Sequence, residues 1–353
     1  MYILGIWDGH DSGAALIHGK KILFAANEER YTKRKLEVAF PSNSISAALS
    51  FAGLKPNDVD VVAFPTADVV KTMERIYPYM KESYYRFRRR KQLRPMFATQ
   101  RHALKYGLSS FGRGMFSEAI SKALVARRLH HMGFRNPRVV AVDHHAAHAI
   151  AASSTSGFSN AAVVTLDGLG DGLSGSINLL RKGRLERVKS IPARESLGIF
   201  YEQVTNILGM RELEDEGKIM AMADYSYPFS YAENKLAKFF EVDGTTIKAR
   251  YGPFAQYDAL SRMAWSMPRE QFAYMAQQVL ETALLKFFSG VIEDTGVHNI
   301  AYSGGVASNV KANMKIRDMD AVKGFYIFPH MGDGGIALGA AMQANAEINN
   351  IHD

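Results

Sequence analysis

The chain contains no cysteine. That excludes a disulfide framework, a thiol nucleophile and a thiolate metal site, so any metal must be held by histidine, carboxylate, backbone or ligand oxygens. No apolar run approaches the roughly 20 residues of a membrane-spanning helix, and no membrane partner is expected. The opening MYILGIWDG lacks a basic lead-in and soon reaches polar residues, so it reads as a first strand and not a signal peptide. The expected location is the cytoplasm. Also missing is the P-loop spacing of Gly, four residues and Gly-Lys-Ser/Thr, which argues against P-loop chemistry. What remains is 353 residues, 47% hydrophobic and 22% charged, an ordinary globular composition long enough for two lobes.

Acidic residues are in modest deficit, giving a net charge of +8. Much of the excess sits in KESYYRFRRRKQLRPMFATQRHALKYG, residues 81 to 107, where Arg88, Arg89, Arg90, Lys91 and Arg94 are nearly consecutive. The simpler reading is a solvated helix face. The functional one is an anion-facing surface for phosphates, an acidic partner or RNA.

The two halves of the chain repeat one pattern. YILGIWDGHDSGAALIHGKKILFAANEER and AAVVTLDGLGDGLSGSINLLRKGRLERVKSI each read as strand, Asp-Gly, polar turn, strand, Gly/Lys turn, strand. Both continue with helices and strands in alternation. The first half has a helix in PSNSISAALSFAGL, capped by Asn43 or Ser44, then VDVVAFP and VVAVDHH. The second has helical segments near 197 to 240, a long helix from about 268 to 295, then IAYSGG, GFYIFP and the helix GGIALGAAMQANAEI. The fold class is therefore α/β. A duplicated βββαβαβα unit is the plan of the actin-like ATPase and sugar-kinase fold, with ribonuclease H-like lobes of residues 1–157 and 158–353 around a nucleotide cleft.

That plan aims strand-end loops of both halves at one cleft. In DHHAAHA, residues 143 to 149, His144 and His148 are four apart and share a helix face, which is either the polar edge of an ordinary helix or the spacing two imidazoles need to hold one cation. VVAVDHHAAH matches YIFPHMGDGG, so Asp333 comes from the equivalent strand end; Asp167 is a fourth candidate. The turns GHDSG (Gly9, Ser12) and DGLGDG (Gly168, Gly170, Asp171) let backbone approach a phosphate. SGGVASN, with Gly304, Gly305 and Asn309, joins a strand to a helix N-terminus where a nucleotide can lie. His10 is the proton-handling candidate, with Asp11 beside it to orient the imidazole or act itself. EERYTKRK reads as a solvated edge, or places Arg30 and Lys35 to neutralise a phosphate or polarise a carbonyl.

Together these segments resemble the carbamoyltransferase family of NodU and the tobramycin and cephalosporin O-carbamoyltransferases. The resemblance runs from GIWDGHDSGAAL through EER-x4-K, DHHAAHA, TLDGLGDG, EGKIMAMA and SGGVASN to MGDGGIALGAA, nearly the whole chain. The family's catalytic domain is similar to the TsaD-type tRNA threonylcarbamoyl-transfer enzymes, also actin-like and metal-dependent. The resemblance implies one metal, commonly iron (with Mn²⁺ or Zn²⁺ also suited to such ligands), on His144, His148, Asp167 and Asp333. It implies carbamoyl transfer from carbamoyl-adenylate, made from ATP, to an acceptor hydroxyl of a small molecule. His10, Asp11 and Lys35 match the positions around the carbamoyl group; Gly304, Gly305 and Asn309 match the adenosine loop, and Glu216 and Lys218 an ordered insert. It narrows the three histidines to His144 and His148, leaving His145 to support the ligands from behind or to serve the fold. Full-length members add a YrdC-type domain that makes the donor. This chain ends at Asp353, so the expectation is either a stand-alone transferase served by a separate YrdC-like protein that supplies carbamoyl-adenylate, or a truncated relative; ATP–pyrophosphate exchange with carbamoyl phosphate is not expected of this chain alone. Two other readings are threonylcarbamoyl transfer to tRNA, supported by the basic segment, and a non-catalytic ATP-binding module. The complete His/Asp set argues against the second.

Overall fold

The computed structural model describes residues 1–91 and 98–349. Its strands are β1 (Tyr2–Trp7), β2 (Gly13–His18), β3 (Lys21–Asn27), β4 (Val61–Pro65), β5 (Val139–Val142), β6 (Asn160–Gly170), β7 (Leu173–Arg181), β8 (Arg184–Pro192), β9 (Phe240–Asp243), β10 (Thr246–Ala249), β11 (Asn299–Ser303) and β12 (Gly324–Ile327). One five-stranded sheet has the order β3-β2-β1-β4-β5; a second has β8-β7-β6-β11-β12. In each, the first three strands in sequence pair antiparallel and the last two join parallel. The second sheet thus repeats the first strand for strand, as the sequence repeat requires. β9 and β10 form a separate hairpin that the sequence patterns did not announce.

Local chemistry explains the meanders. Between β7 and β8 the two turn residues, Lys182 (φ 51°) and Gly183 (φ 81°), both lie in the left-handed region. That is the two-residue hairpin turn whose twist suits the flanking strands. β1 is buried along nearly its whole length, as a strand covered on both faces must be. One cap differs from expectation. The helix Ser42–Ala52 is not capped by Asn43 or Ser44; instead Glu28, buried at the end of β3, accepts from the backbone N–H of both, at 3.0 and 2.7 Å. A carboxylate reaching from another element satisfies the free helix donors as well as a local cap would.

The two sheets exchange helices. The helix His144–Thr155 follows β5 yet packs on β6, β7 and β11, while Ile336–Ile348 follows β12 yet packs on β1, β2 and β4. The two helices meet through alanines, among them Ala147, Ala151, Ala340 and Ala344, and through Gly339, where a Cβ would fall 2.0 Å from the Ala147 carbonyl oxygen. Small side chains let the backbones approach closely, which brings the start of both helices to one place.

Candidate metal centre and cavity

The helix His144–Thr155 starts on an Asp143 cap, whose carboxylate accepts from Ala146 N at 2.7 Å. Asp171 fixes the same start from β6's end, accepting from His144 N at 3.0 Å and from Ala67 N at 3.2 Å. His144 Nε2 lies 3.3 Å from Asp167 Oδ2 and 3.6 Å from Asp333 Oδ1; His148 Nε2 lies 3.6 Å from the same Asp333 oxygen. One ligand atom from each of His144, His148, Asp167 and Asp333 lies within 4.8 Å of all the others. Two glycines make the room. A Cβ at Gly170 would sit 2.2 Å from the His144 ring, and one at Gly305 would sit 2.7 Å from Asp167 Oδ1, which accepts from Gly305 N at 2.7 Å.

The hydrogen bonds around the ring nitrogens decide which faces inward. Ser303 Oγ donates its one proton to the Met331 carbonyl at 3.1 Å, so its 3.2 Å contact with His148 Nδ1 makes that nitrogen the donor. In the neutral ring Nε2 then carries a lone pair, and it is buried with no hydrogen-bond partner. His144 Nδ1 is likewise held by Thr66 Oγ1 at 2.9 Å. Burial works against ionising His144 and Asp167. The carboxylates of Asp333, Asp167 and Asp171 nevertheless raise His144 to about 9, while the hydrogen bond from His144 and the neighbouring imidazoles hold Asp167 well below the usual carboxylate range. The cluster therefore favours positive charge, and two imidazoles with two carboxylates form a mixed N/O donor set of the kind that fits a divalent transition metal. His145 is elsewhere employed: Thr165 Oγ1 sits 2.9 Å from its Nδ1, and its Nε2 donates to Leu173 O at 3.1 Å.

A cavity of about 370 Å³ opens over the cluster. His10, Asp11, Asp167, Gly168, Glu216, Gly305 and Asn309 line it, as does Asp333. His10 Nδ1 stands 3.6 Å from Asp333 Oδ2, and burial lowers its pKa against the pull of Asp333 and Asp11. Asp11 does not orient His10. Its carboxylate pairs with His330 Nε2 at 3.2 Å and receives Asn27 Nδ2 at 3.1 Å. Asn309 exchanges hydrogen bonds with Gln277 at 2.9 and 3.0 Å and caps the helix Val310–Arg317. Burial and the nearby Glu202 raise Glu216 to about 7.

Other predicted residues stand back from the cavity. Gly9 is required by the Trp7 ring, 2.0 Å from where its Cβ would be, and Gly304 by the Leu166 carbonyl at 2.1 Å. Ser12 is buried, with its hydroxyl unpartnered. Lys218 is exposed and pairs with Asp215 at 2.8 Å. Lys35 is exposed and faces a neighbouring groove.

Two residues of the basic segment do not belong to a solvated helix face. Arg88 and Arg89 are each only 6% exposed. Arg88 donates to Glu202 at 2.5 Å and to Glu212, and Arg89 pairs with Glu214 at 3.0 Å. Arg90 donates to the Met210 and Asn206 carbonyls; Arg94 lies outside the described residues. Arg88, Tyr84, Tyr85 and Tyr106 instead form a cavity wall with Lys71 and Lys105, whose ammonium groups flank Glu74. No sequence motif marks that wall, because its partners lie far along the chain. The aromatic interleaving of YYRFRRR was its only signal.

No helix of the described residues is long and apolar enough to cross a membrane. The chain is 28% identical over 99% of its length to protein MJ1051 of Methanocaldococcus jannaschii, covering 58% of that protein. It is 25% identical over 96% of its length to the nodulation protein NolNO of Sinorhizobium fredii, covering 47% of it. It thus spans about half the length of these curated relatives. Among solved structures, full-length HypF in a phosphate- and nucleotide-bound form superposes with a TM-score of 0.54, at 12% identity over 98% of this chain and 55% of that one. That likeness shows the shared actin-like architecture. The family model described as the carbamoyltransferase N-terminus matches residues 2–342, and to that family the chain belongs.

Proposed function

We propose that this chain is the catalytic domain of a metal-dependent carbamoyltransferase, moving a carbamoyl group from carbamoyl-adenylate to the hydroxyl of a small molecule. The observation that carries the reading is the buried, partnerless His148 Nε2 facing Asp333, with His144 and Asp167 alongside and a cavity above. His144, His148, Asp167 and Asp333 would hold the metal, Fe²⁺ in first place, which when bound supplies positive charge to phosphate oxygens of the adenylate. His10, kept neutral by burial, takes the acceptor's proton as the new O–C bond forms and the bond from carbamoyl carbon to phosphate oxygen breaks, releasing AMP. Asp333 stabilises the imidazolium that results. The nucleoside lies along Gly305, Val306 and Asn309, and Glu216 closes the far side. Against tRNA transfer, Arg88 and Arg89 of the basic segment are engaged by Glu202, Glu212 and Glu214.

Protein purified without a metal-affinity tag should carry about one transition-metal ion per chain by elemental analysis. Given carbamoyl-adenylate, it should release AMP faster than buffer does. His148→Ala should lose the metal, and His10→Ala should keep it while slowing AMP release by about 10²-fold or more. A metal-free wild type with no acceleration of AMP release would sink the reading.

A further inference from the structure

The sequence carries two basic runs, Lys33 to Lys35 and Arg86 to Lys91, that the candidate site does not use as such. The fold brings them together. Arg89 Nη1 and Nη2 donate to the carbonyls of Leu36 and Lys35 at 2.9 and 2.6 Å, clamping the first run against the second. Between them lies a groove of about 520 Å³. Lys33, Arg34, Lys35, Arg86, Arg89 and Lys91 line it, against only two carboxylates, Glu37 and Glu82. Glu214 offsets some of this charge from behind, through Arg89 and Lys91 at 3.0 and 3.3 Å. Arg34 takes Glu82 at 2.7 Å, which leaves Arg86 a distant 4.0 Å from that carboxylate. Arg89 is almost wholly buried, and its Nε–H has no partner among the described residues. The Arg89 guanidinium thus adds its charge to a groove wall where cations outnumber carboxylates, a setting that favours an anion.

The groove adjoins the cavity. Leu36 and Tyr85 line both, and the Tyr85 ring lies 5.4 Å from that of His10, centroid to centroid. We propose that this groove binds the phosphate of a small ligand whose other end reaches the cavity. Several cations around one bounded volume suit a phosphate or diphosphate better than a single carboxylate. An RNA backbone would need a longer basic track, and Arg88 and Arg90 turn their guanidinium groups to partners within the chain. The phosphate has two possible sources, the acceptor or the nucleotide donor. Naming either source rests on the carbamoyl-transfer reading; the anion site does not.

Inorganic tripolyphosphate titrated calorimetrically into the full chain, at constant ionic strength, tests the site. Saturable binding is expected, weakened about tenfold or more by the triple variant Lys33→Ala/Lys35→Ala/Arg86→Ala. All three side chains reach solvent, so the variant should keep the wild-type Tm. Binding that persists at saturating AMP assigns the groove to the acceptor; binding displaced by AMP, yet still weakened in the triple variant, assigns it to the donor's phosphates. Equal affinity in wild type and variant would overturn the proposal. So would loss of binding in His144→Ala alone, which would place the anion in the cavity. Retention of tRNA by the wild type but not the variant, without tripolyphosphate binding, would make the groove a nucleic-acid surface instead. Should the chain prove free of metal and release no AMP from carbamoyl-adenylate, the tripolyphosphate result still decides the anion site.

Discussion

Two hydroxyls set which nitrogen of each histidine faces the cluster. Thr66 follows β4 directly and Ser303 ends β11, and these strands hold the same place in the two sheets. Each hydroxyl meets the Nδ1 of one candidate ligand, Thr66 that of His144 and Ser303 that of His148, so the repeat that supplies the ligands also supplies their orienting partners. Partners of this kind raise ligand basicity and fix ring rotation. Thr66→Val and Ser303→Ala should therefore keep the fold but weaken divalent-metal affinity by about 10- to 100-fold each, measured by competition with a chelator. Unchanged affinity would mean that the hydroxyls are passive packing. The candidate ligands were legible in the sequence because i, i+4 spacing and a repeat mark them. Thr66 was not, since a lone threonine after a strand carries no pattern until the fold sets it 2.9 Å from a ring 78 residues away.

At the scale of elements, the cavity wall depends on charge held between helices. Glu74, on the helix Val69–Ile76, meets Lys71 of the same helix at 3.3 Å and Lys105 of the helix Ala98–Ser109 at 2.7 Å. Burial would raise its pKa, but Lys105 and Lys71 outweigh that and bring it down to about 2 from an ordinary value of 4.5. A carboxylate depressed in the folded state contributes stability that is complete above about pH 4.5 and disappears as pH falls toward 2. Glu74→Gln should cost on the order of 3 kcal/mol at pH 7, by urea unfolding, with the deficit shrinking as the medium is acidified through that window. A deficit independent of pH would show that packing, not charge, is lost. Helix and strand existence in both halves was readable from hydrophobic periodicity. The contacts between helices were not, because Glu74 and Lys105 are 31 residues apart and neither belongs to a motif.

For the whole molecule, the exchange of helices ties the candidate site to the relation between the two sheets. His144 and His148 ride on a helix that leaves the first sheet for the second; Asp333 precedes the helix that makes the reverse crossing; Asp167 stays on β6. The four groups keep their spacing only while the two crossing helices keep theirs, and Gly339 against Ala147 sets that approach. Gly339→Ala would place a methyl 2.0 Å from the Ala147 carbonyl oxygen, forcing the helices apart. The expected loss is about 1–3 kcal/mol, seen as a lower Tm, with a smaller rise in Tm on adding divalent metal than the wild type shows. Gly107→Ala is the matched control. It lies exposed in the helix Ala98–Ser109 with nothing within 4 Å of a new Cβ, so the same change should stabilise by up to about 1 kcal/mol. The sign should therefore differ between the two sites. If Gly339→Ala were neutral, or lowered Tm while leaving the metal-induced rise intact, the helix contact would not be what holds the cluster together.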